Sequence, residues 1–166
     1  MIHMTTMDSP IGPLTVAARG ARVCLLHFGG DGSGPRSMLQ RWYPDEPIEL
    51  QANPAGAATA LREYFNGSTR ALECVEVEMN GTPFQKRVWN ALRSVTCGTT
   101  TSYAAIAKAI EAPTAVRAVG AANGANPVAV IVPCHRIIGT NGSLTGYGGG
   151  LERKRWLLQH EGVLLV

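Results

Sequence analysis

The hydrophobic pattern of the first 30 residues is typical of short strands. Apolar runs at 14–18 and 23–27 are separated by turn-forming glycine and proline residues, which predicts a β meander. Residues 31–34 are interpreted as a glycine-rich loop. Further on, 72–79 alternates apolar and acidic side chains, which predicts a half-exposed strand.

A helix is predicted over 54–65. Asn53 stands where a cap is expected, Pro54 fits the first helical position, and Gly67 follows the end. At Asn80-Gly81 the pattern changes from strands with helices to mainly short helices. We therefore predict an N-terminal α/β domain over 1–80 and a second domain over 81–166.

The second domain opens with a helix from Pro83 to about Ser94, capped by Thr82. Its buried stripe is expected to consist of residues four apart, namely Phe84, Val88 and Leu92.

Two short helices follow, and their close succession predicts a helix-turn-helix. The first spans 103–110 with Ser102 as its cap, and the second spans 115–122 with Thr114 as its cap. The second helix is built of small residues, among them Ala115, Ala118, Gly120, Ala121 and Ala122. They fit either tight packing on a neighbouring helix or close approach of the backbone to a partner.

The remaining chain is predicted to hold a buried strand, a glycine-rich loop and a last helix. The strand is the apolar, β-branched run 128–132, and the helix spans 151–160 with Gly162 beyond its end.

Composition points to a soluble globular protein. The 166 residues are 45% hydrophobic and 16% charged, and the formal net charge is +3. A late basic cluster suits either a polyanion or a solvated surface; it comprises Arg117, Arg136, Arg153, Lys154 and Arg155.

No run approaches the ~20 apolar residues that span a membrane, and no signal peptide is visible, so a cytoplasmic protein without a membrane partner is expected. The four cysteines form no CxxC pair and are interpreted as thiols: Cys24, Cys74, Cys97 and Cys134.

The candidate for chemistry is the segment Pro133-Cys134-His135-Arg136. A cysteine after an apolar run is often a small core residue. Here a histidine and an arginine follow at once, and a cation or imidazolium lowers the pKa of a thiol. Glu161 offers a carboxylate to orient the imidazole. Because neighbours on a strand point to opposite faces, His135 can assist Cys134 only if the chain turns or a water bridges them.

The segments Asn126 to Arg136, Gly146 to Gly150 and His160-Glu161-Gly162 strongly resemble the O6-alkylguanine-DNA alkyltransferase family. The resemblance is close over 81–165 and looser over the first 80 residues. It implies a ribonuclease H-like N-terminal domain with a small antiparallel sheet, and a mainly helical, winged-helix-like C-terminal domain that carries the helix-turn-helix. The implied activity is DNA repair by a single, irreversible transfer of an alkyl group from O6-alkylguanine, and from O4-alkylthymine, to Cys134.

The resemblance also implies the role of each site residue. His135 takes the thiol proton through a water, Glu161 holds His135, Asn126 is the hinge residue, and Tyr103 contacts the flipped base and protonates the leaving guanine. Arg117 fills the gap that the base leaves. The remaining candidates line the base pocket or bind DNA; they are Ala115, Ala118, Ala121, Asn123, Arg136, Tyr147, Gly148 and Gly149. The implied partner is double-stranded DNA, bound by a monomer in the minor groove with little sequence preference.

Three features depart from the family pattern. Gly148 stands where many members have serine, Asn123 replaces a more hydrophobic residue of some relatives, and no N-terminal zinc-ligand set appears, so no cofactor or metal is expected. Three other functions remain open: a non-enzymatic protein that binds alkylated DNA, a cysteine hydrolase, and a transcriptional regulator. The first lacks an acceptor cysteine, the second needs an oxyanion hole, and the third needs a ligand or dimerisation segment.

Overall fold

The computed structural model describes residues 1–165 and contains two compact units. Among these residues, one unit comprises 1–80 together with 127–131, and the other comprises 81–126 together with 132–165. The segment 127–131 thus belongs with the N-terminal unit, although the predicted boundary assigned it to the second domain.

A four-stranded sheet organises the first unit. β1 (Ile2–Met7), β2 (Leu14–Arg19) and β3 (Arg22–Phe28) form the predicted meander, and all three pair antiparallel. The short β4 (Ile48–Leu50) adds a parallel edge next to β1, giving the order β3-β2-β1-β4. The sheet is therefore mainly antiparallel, as expected for the small sheet of this unit, with one short parallel strand at its edge.

The segment that was interpreted as a loop instead begins a helix, α1 (Ser33–Trp42). Gly34 and Pro35 in its first turn hide the helical pattern, yet proline is tolerated there because early amides have no intrahelical acceptor. Leu39 packs from α1 into the core beneath the sheet. Cys24 lies in the same core, and its burial raises the pKa of the thiol to about 12.

The predicted helix over 54–65 is divided in two. A 3₁₀ turn (Pro54–Gly56) precedes α2 (Ala57–Phe65), because Ala55 has a positive φ of 52° that breaks the helix. The side chain of Asn53 still contacts the first turn of α2, since its Oδ1 accepts a hydrogen bond from the amide of Thr59 at 3.1 Å.

The strand predicted over 72–79 is reduced to a single bridge between Val77 and Val23. A 3₁₀ turn (Ala71–Cys74) occupies its first half. The predicted alternation persists in part, because Val75 and Met79 are buried whereas Glu76 is exposed.

The strand prediction for 128–132 is wrong. Val130 has a positive φ of 68°, the segment forms turns, and its only β-type pairing in the described chain is the bridge between Val128 and Leu26. Burial of these apolar residues was predicted correctly. A buried apolar run this short fits a strand and a buried turn equally well.

The second unit is built of four α-helices in the described residues: α3 (Pro83–Arg93), α4 (Tyr103–Ala109), α5 (Val116–Gly124) and α6 (Leu151–His160). Thr82 and Gln85 form the capping box of α3, as the Thr82 prediction required. Val88, Trp89 and Leu92 are its buried residues, whereas Phe84 is only half-buried.

Candidate active site

Cys134 lies in a 3₁₀ turn (Cys134–Arg136) that packs against α3 and α6. The turn follows Pro133, and the Cys134 amide donates to the Val132 carbonyl at 2.8 Å. The chain therefore turns directly after Pro133, which is the turn that His135 needs in order to assist Cys134. Only 6% of Cys134 is exposed to solvent.

Asn126 fixes the chain just before this turn. Its Nδ2 donates to the carbonyl of Val132 at 2.8 Å. The same side chain is also a hydrogen-bond partner of the Cys134 thiol. Asn126 therefore connects the end of α5 to the cysteine, and its role as a hinge stays a prediction.

Burial and polar neighbours act in opposite directions on the Cys134 thiol. Burial raises its pKa, because removal from water disfavours the thiolate. The hydrogen bond from Asn126, the charge of Lys154 and a side-chain hydrogen bond with Tyr147 lower the pKa, but burial outweighs them. The thiol is therefore protonated at rest and needs a base.

His135 and Glu161 form a fully buried pair. His135 Nε2 lies 2.8 Å from Glu161 Oε2, and neither side chain is exposed. An ionised carboxylate can only accept, so Nε2 carries the hydrogen and Nδ1 has a free lone pair. Nδ1 is buried and has no hydrogen-bond partner among the described residues. This nitrogen is therefore the basic atom of the pair.

The electrostatics of the pair keep the histidine neutral and the glutamate ionised. Burial lowers the pKa of His135 and outweighs the opposite effect of Glu161. Burial by itself would raise the pKa of Glu161, but the hydrogen bonds and charges of His135 and Arg136 lower it to about 2. A neutral imidazole next to a carboxylate is suited to accept a proton.

Arg136 does not face solvent as a DNA-binding residue would. Its Nε donates to Glu161 Oε1 at 2.8 Å, its Nη2 to Glu161 Oε2 at 3.2 Å, and its Nη1 to the Val95 carbonyl at 2.7 Å. Only 9% of the residue is exposed. The expectation that Arg136 binds DNA does not fit this geometry, because its guanidinium is committed to the carboxylate that holds His135.

The glycine-rich loop brings Tyr147 to the cysteine. The hydrogen bond with Cys134 and burial both raise the pKa of Tyr147 well above its usual value, burial being the larger cause. Gly148 is exposed, and the Gly149 carbonyl accepts from Arg153 Nη1 at 3.0 Å. Of the loop residues expected to line a base pocket, Tyr147 therefore contacts the thiol, and Gly148 and Gly149 follow Tyr147 in the chain.

The two short helices form the predicted helix-turn-helix, with some differences at the second. Ser102 caps α4 through the amide of Ala105 at 3.1 Å. Thr114 is not the cap of α5, which begins one residue later than predicted and has Ala115 at its N-cap. Glu111 turns the chain with a positive φ of 62°.

The small residues of α5 face two ways. Ala118 and Ala121 are exposed, as is Arg117, so this face stays open among the described residues. Ala122 is buried, and its carbonyl accepts from Trp89 Nε1 at 2.8 Å. Packing on a neighbouring helix thus applies to Ala122, whereas close approach to a partner stays a prediction for the exposed face.

Tyr103, at the start of α4, lies against α5, and Asn123 is a buried residue of α5 itself. A Cβ on Gly120 would lie 3.9 Å from the ring of Tyr103, so the ring rests against the helix backbone. Asn123 is 6% exposed, and its Oδ1 has no partner among the described residues. A buried acceptor without a partner is rare and fits a wall that meets a ligand.

Sequence reasoning missed one residue beside the site, Lys154. It is fully buried on α6, and it was included in a basic cluster for which a solvated face was one interpretation. Helical spacing carried the signal, because Lys154 stands three and four residues before two apolar residues, Leu157 and Leu158, that are buried on the same helix.

Among the described residues no group of three or more histidine, cysteine or acidic side chains could hold a metal ion. Nor does any helix in residues 1–165 have the length and apolar character needed to cross a bilayer.

A thiol beside a histidine–glutamate pair, together with a helix-turn-helix, defines a DNA-binding protein with a cysteine that can act as a nucleophile. Two family models match the chain. One, described as 6-O-methylguanine DNA methyltransferase, ribonuclease-like domain, covers residues 2–79. The other, the DNA binding domain of the same methyltransferase, covers residues 83–163. The chain therefore belongs to the 6-O-methylguanine DNA methyltransferase family.

Curated relatives agree over nearly the whole chain. A methylated-DNA–protein-cysteine methyltransferase of Shigella flexneri is 51% identical over 161 residues, which cover 95% of this chain and 94% of the relative. A protein of the same name from Mycobacterium tuberculosis is 48% identical over 164 residues, or 97% and 93% of the two chains.

Solved structures agree as well. The O6-methylguanine methyltransferase of Mycobacterium tuberculosis superposes with a TM-score of 0.80 at 45% identity and covers 97% of this chain and 93% of its own. A structure of Mycobacterium tuberculosis OGT in complex with DNA has a TM-score of 0.77 at 43% identity, with 96% and 92% covered.

Proposed function

We propose that this chain repairs DNA by transferring the alkyl group of O6-alkylguanine, and of O4-alkylthymine, to Sγ of Cys134. The observation that carries the proposal is the buried Cys134 in the same turn as His135, whose Nε2 is held by Glu161 at 2.8 Å. The relatives with the same two-part family match are named methylated-DNA–protein-cysteine methyltransferase.

The reaction is a displacement at carbon. His135 Nδ1 accepts the thiol proton through a water, and the thiolate attacks the alkyl carbon. A carbon–sulfur bond forms as the carbon–oxygen bond to O6 breaks, and its electron pair stays on the guanine. Tyr103 donates a proton to the guanine and so stabilises the leaving group. The thioether has no route back to a thiol, so each molecule reacts once.

The base must leave the duplex to reach a buried thiol, which costs a few kcal/mol. Arg117, exposed in the first turn of α5, fills the gap in the stack. The exposed Ala118 and Ala121, with Ala115 before them, let the helix backbone approach the minor groove closely. Binding of this kind depends on backbone charge and reads little sequence. We assign this binding to a monomer in the cytoplasm.

The pocket for the flipped base is assigned to Asn123, Tyr147, Gly148 and Gly149. Gly148 has no side-chain hydroxyl but keeps its backbone N–H, which can donate to the base. Arg136 is assigned a positioning role through Glu161 in place of DNA contact. Residues 81–166 thus carry both DNA binding and the acceptor, and 1–80 form the α/β domain.

The test is a stoichiometric transfer assay. The protein is incubated with a duplex that carries a single O6-methylguanine and is then digested. The peptide containing Cys134 is expected to gain one methyl group, with at most one equivalent per protein. Cys134→Ala is expected to abolish transfer and to retain binding to the methylated duplex. A matched control is Cys97→Ala, which removes a different thiol of the same unit.

The same assay separates the other functions. Repeated turnover through an acyl intermediate on Cys134 would indicate a hydrolase. Binding of methylated DNA without any transfer would indicate a protein that only recognises damage. Loss of DNA binding in Cys134→Ala would argue against a purely chemical role for this residue.

A further inference from the structure

The loop formed by residues 95–101 joins α3 to α4 and is bonded to the segment that carries Arg136. At its start, the Val95 carbonyl accepts a hydrogen bond from Arg136 Nη1 at 2.7 Å. At its end, the Thr101 amide donates to the Arg136 carbonyl at 2.8 Å, and the Ile138 amide donates to the Thr101 carbonyl at 2.9 Å. Both ends of the loop are therefore fastened to the chain that follows the acceptor cysteine.

The middle of the loop meets Glu161, the partner of His135. Gly98 has a positive φ of 86°, and a Cβ there would lie 3.0 Å from the main-chain oxygen of Glu161. That distance is shorter than most contacts that a real Cβ makes, and the atom it meets belongs to the backbone and not to a flexible side chain. Glycine at this position therefore lets the loop lie directly against the residue that holds His135.

A short turn fixes Gly98 in this place. The Thr99 amide donates to the Thr96 carbonyl at 3.0 Å, and Thr99 Oγ1 donates to the same carbonyl at 2.6 Å. Gly98 is the third residue of this four-residue turn, where a positive φ is typical of a type II turn and favours glycine. Glu161 is fixed as well, because it ends α6 with its amide bonded to the Leu157 carbonyl at 3.0 Å.

We propose that the loop 95–101 positions the acid–base pair for alkyl transfer, and that Gly98 is the positioning residue through which it sets the place of Glu161. The inference rests on the proposed transfer to Cys134. His135 takes the thiol proton through a water, so its imidazole must keep the orientation that Glu161 gives it. A side chain on Gly98 displaces the Glu161 main chain by a few tenths of an ångström and moves the carboxylate with it.

The loop also fixes the group at the opposite end of the reaction. Ser102 caps α4 directly after the loop, and Tyr103, the proposed proton donor to the leaving guanine, is the first residue of that helix. The hydrogen bonds of Val95 and Thr101 thus connect the base that activates the thiol with the acid that serves the leaving group. Both groups act on the same displacement, and a misplacement of 1 Å can cost about 100-fold in rate.

Gly98→Asn tests the contact, because asparagine tolerates a positive φ better than most side chains and still adds the Cβ. The signal is the NMR resonance of the hydrogen on His135 Nε2, whose chemical shift depends on the length of the bond to Glu161, 2.8 Å in the wild type. We expect this resonance to move upfield in Gly98→Asn, because the hydrogen bond lengthens. An unchanged resonance overturns the proposal.

The matched control is Gly20→Asn, which should leave both the resonance and the transfer rate at their wild-type values. Gly20 also has a positive φ, 62°, and a Cβ there meets no atom within 4 Å. It therefore reports the effect of backbone strain without the contact. An equal shift of the resonance in Gly20→Asn and Gly98→Asn contradicts the proposal.

Single-turnover kinetics give the functional readout. In Gly98→Asn the rate constant of methyl transfer at saturating duplex is expected to fall about three- to tenfold, because the displacement is a fraction of 1 Å. The duplex concentration at half-maximal rate should change less than about twofold, because Arg117 and the exposed face of α5 lie outside the loop. Weaker DNA binding with an unchanged rate constant also overturns the proposal.

The NMR measurement uses no alkylated DNA, so the two proposals fail separately. A wild-type protein that transfers no methyl group refutes the proposed function, whereas the resonance still tests the loop. Normal transfer by the wild type, with an unchanged resonance and rate in Gly98→Asn, refutes only the role of Gly98.

Thr99 provides milder variants in case Gly98→Asn does not fold. Thr99→Val removes the hydroxyl that holds the turn at the Thr96 carbonyl, whereas Thr99→Ser retains it. The His135 resonance is expected to shift upfield in Thr99→Val, by less than in Gly98→Asn, and to return to its wild-type position in Thr99→Ser. A wild-type resonance in Thr99→Val overturns the proposal.

Discussion

Glu161 and Arg136 are joined by two hydrogen bonds, one from Nε to Oε1 at 2.8 Å and one from Nη2 to Oε2 at 3.2 Å. The carboxylate therefore presents both oxygens to the guanidinium while Oε2 also meets the imidazole of His135. One buried anion thus holds a cation and orients a base.

Glu161→Gln removes the charge of this anion and leaves Arg136 buried without a counter-ion. Breaking a buried pair costs about 3–5 kcal/mol, so the free energy of unfolding is expected to fall by an amount in that range. Urea unfolding followed by circular dichroism measures it. Arg22→Gln is the control, because Arg22 forms an exposed ion pair with Glu76 at 3.9 Å, and its loss should cost about 1 kcal/mol or less. A similar cost for both variants contradicts the prediction.

Asn126→Ala removes the donor to the Val132 carbonyl and the hydrogen-bond partner of the thiol. A buried carbonyl left without its donor costs about 1–3 kcal/mol, and the turn that holds Cys134 is freed on one side. We expect the rate of methyl transfer to fall at least about tenfold, an effect of about 1.4 kcal/mol on the barrier. Single-turnover kinetics check it, with Asn90→Ala on the exposed side of α3 as control. Equal rates in Asn126→Ala and wild type would show that the hinge does not position the cysteine.

Acid is expected to destabilise the protein through His135. Its pKa is lowered in the folded state, so below about pH 6.5, its ordinary pKa, the unfolded chain binds a proton that the folded chain does not. The contribution of His135 to stability is therefore present above that pH and is lost as the pH falls towards the folded pKa.

Glu161 acts in the same direction at lower pH. Its pKa is about 2 in the folded state, so its stabilising contribution is present above its ordinary pKa and is lost as the pH falls through about 2. Unfolding measured at a series of pH values in wild type and His135→Gln separates the two. His135→Gln should lose less stability than wild type on acidification from neutral to weakly acidic pH, and an equal loss would show that His135 is not the group responsible.

Gly81 is required by close packing. A Cβ there would lie 2.5 Å from two ring atoms of Trp89, and Trp89 is held by its hydrogen bond to Ala122. Gly81→Ala is therefore expected to destabilise the protein by about 1–3 kcal/mol, the usual cost of overpacking. Gly34→Ala in α1 is the matched control, since a Cβ there meets no atom within 4 Å, and it should be neutral or stabilising. Thermal unfolding of the two variants decides between these outcomes.

Arg117→Ala tests the assignment of the residue that fills the gap in the base stack. The guanidinium is exposed in the first turn of α5, so its loss should leave folding unaffected. Repair of O6-methylguanine in duplex DNA is expected to slow more than the reaction with the free O6-alkylated base, because only the duplex requires flipping. Arg62→Ala, an exposed arginine of the other unit, is the control. Equal slowing on both substrates would refute the assignment.

Local sequence signals placed the nucleophile candidate and most of the second unit. The Pro133-Cys134 pair marked the bend, Ser102 and Thr82 marked helix starts, and Glu161 was paired with His135. These features depend mainly on residues that are close in the sequence, so they can be predicted from the sequence alone. The helix α1 was missed because Gly34 and Pro35 obscure a pattern that tertiary packing of Leu39 stabilises.

Only the tertiary structure decided which basic side chains are buried and which groups they contact. Arg136 and Lys154 appear in the sequence as two members of one basic cluster, yet Arg136 binds Glu161, whereas Lys154 is buried and donates to the Thr145 carbonyl. Val128 to Val132 likewise form turns because Val130 adopts a left-handed conformation. The cost of burying a charge or straining a backbone is offset by contacts from distant parts of the chain, and such contacts leave no periodic signal in the sequence.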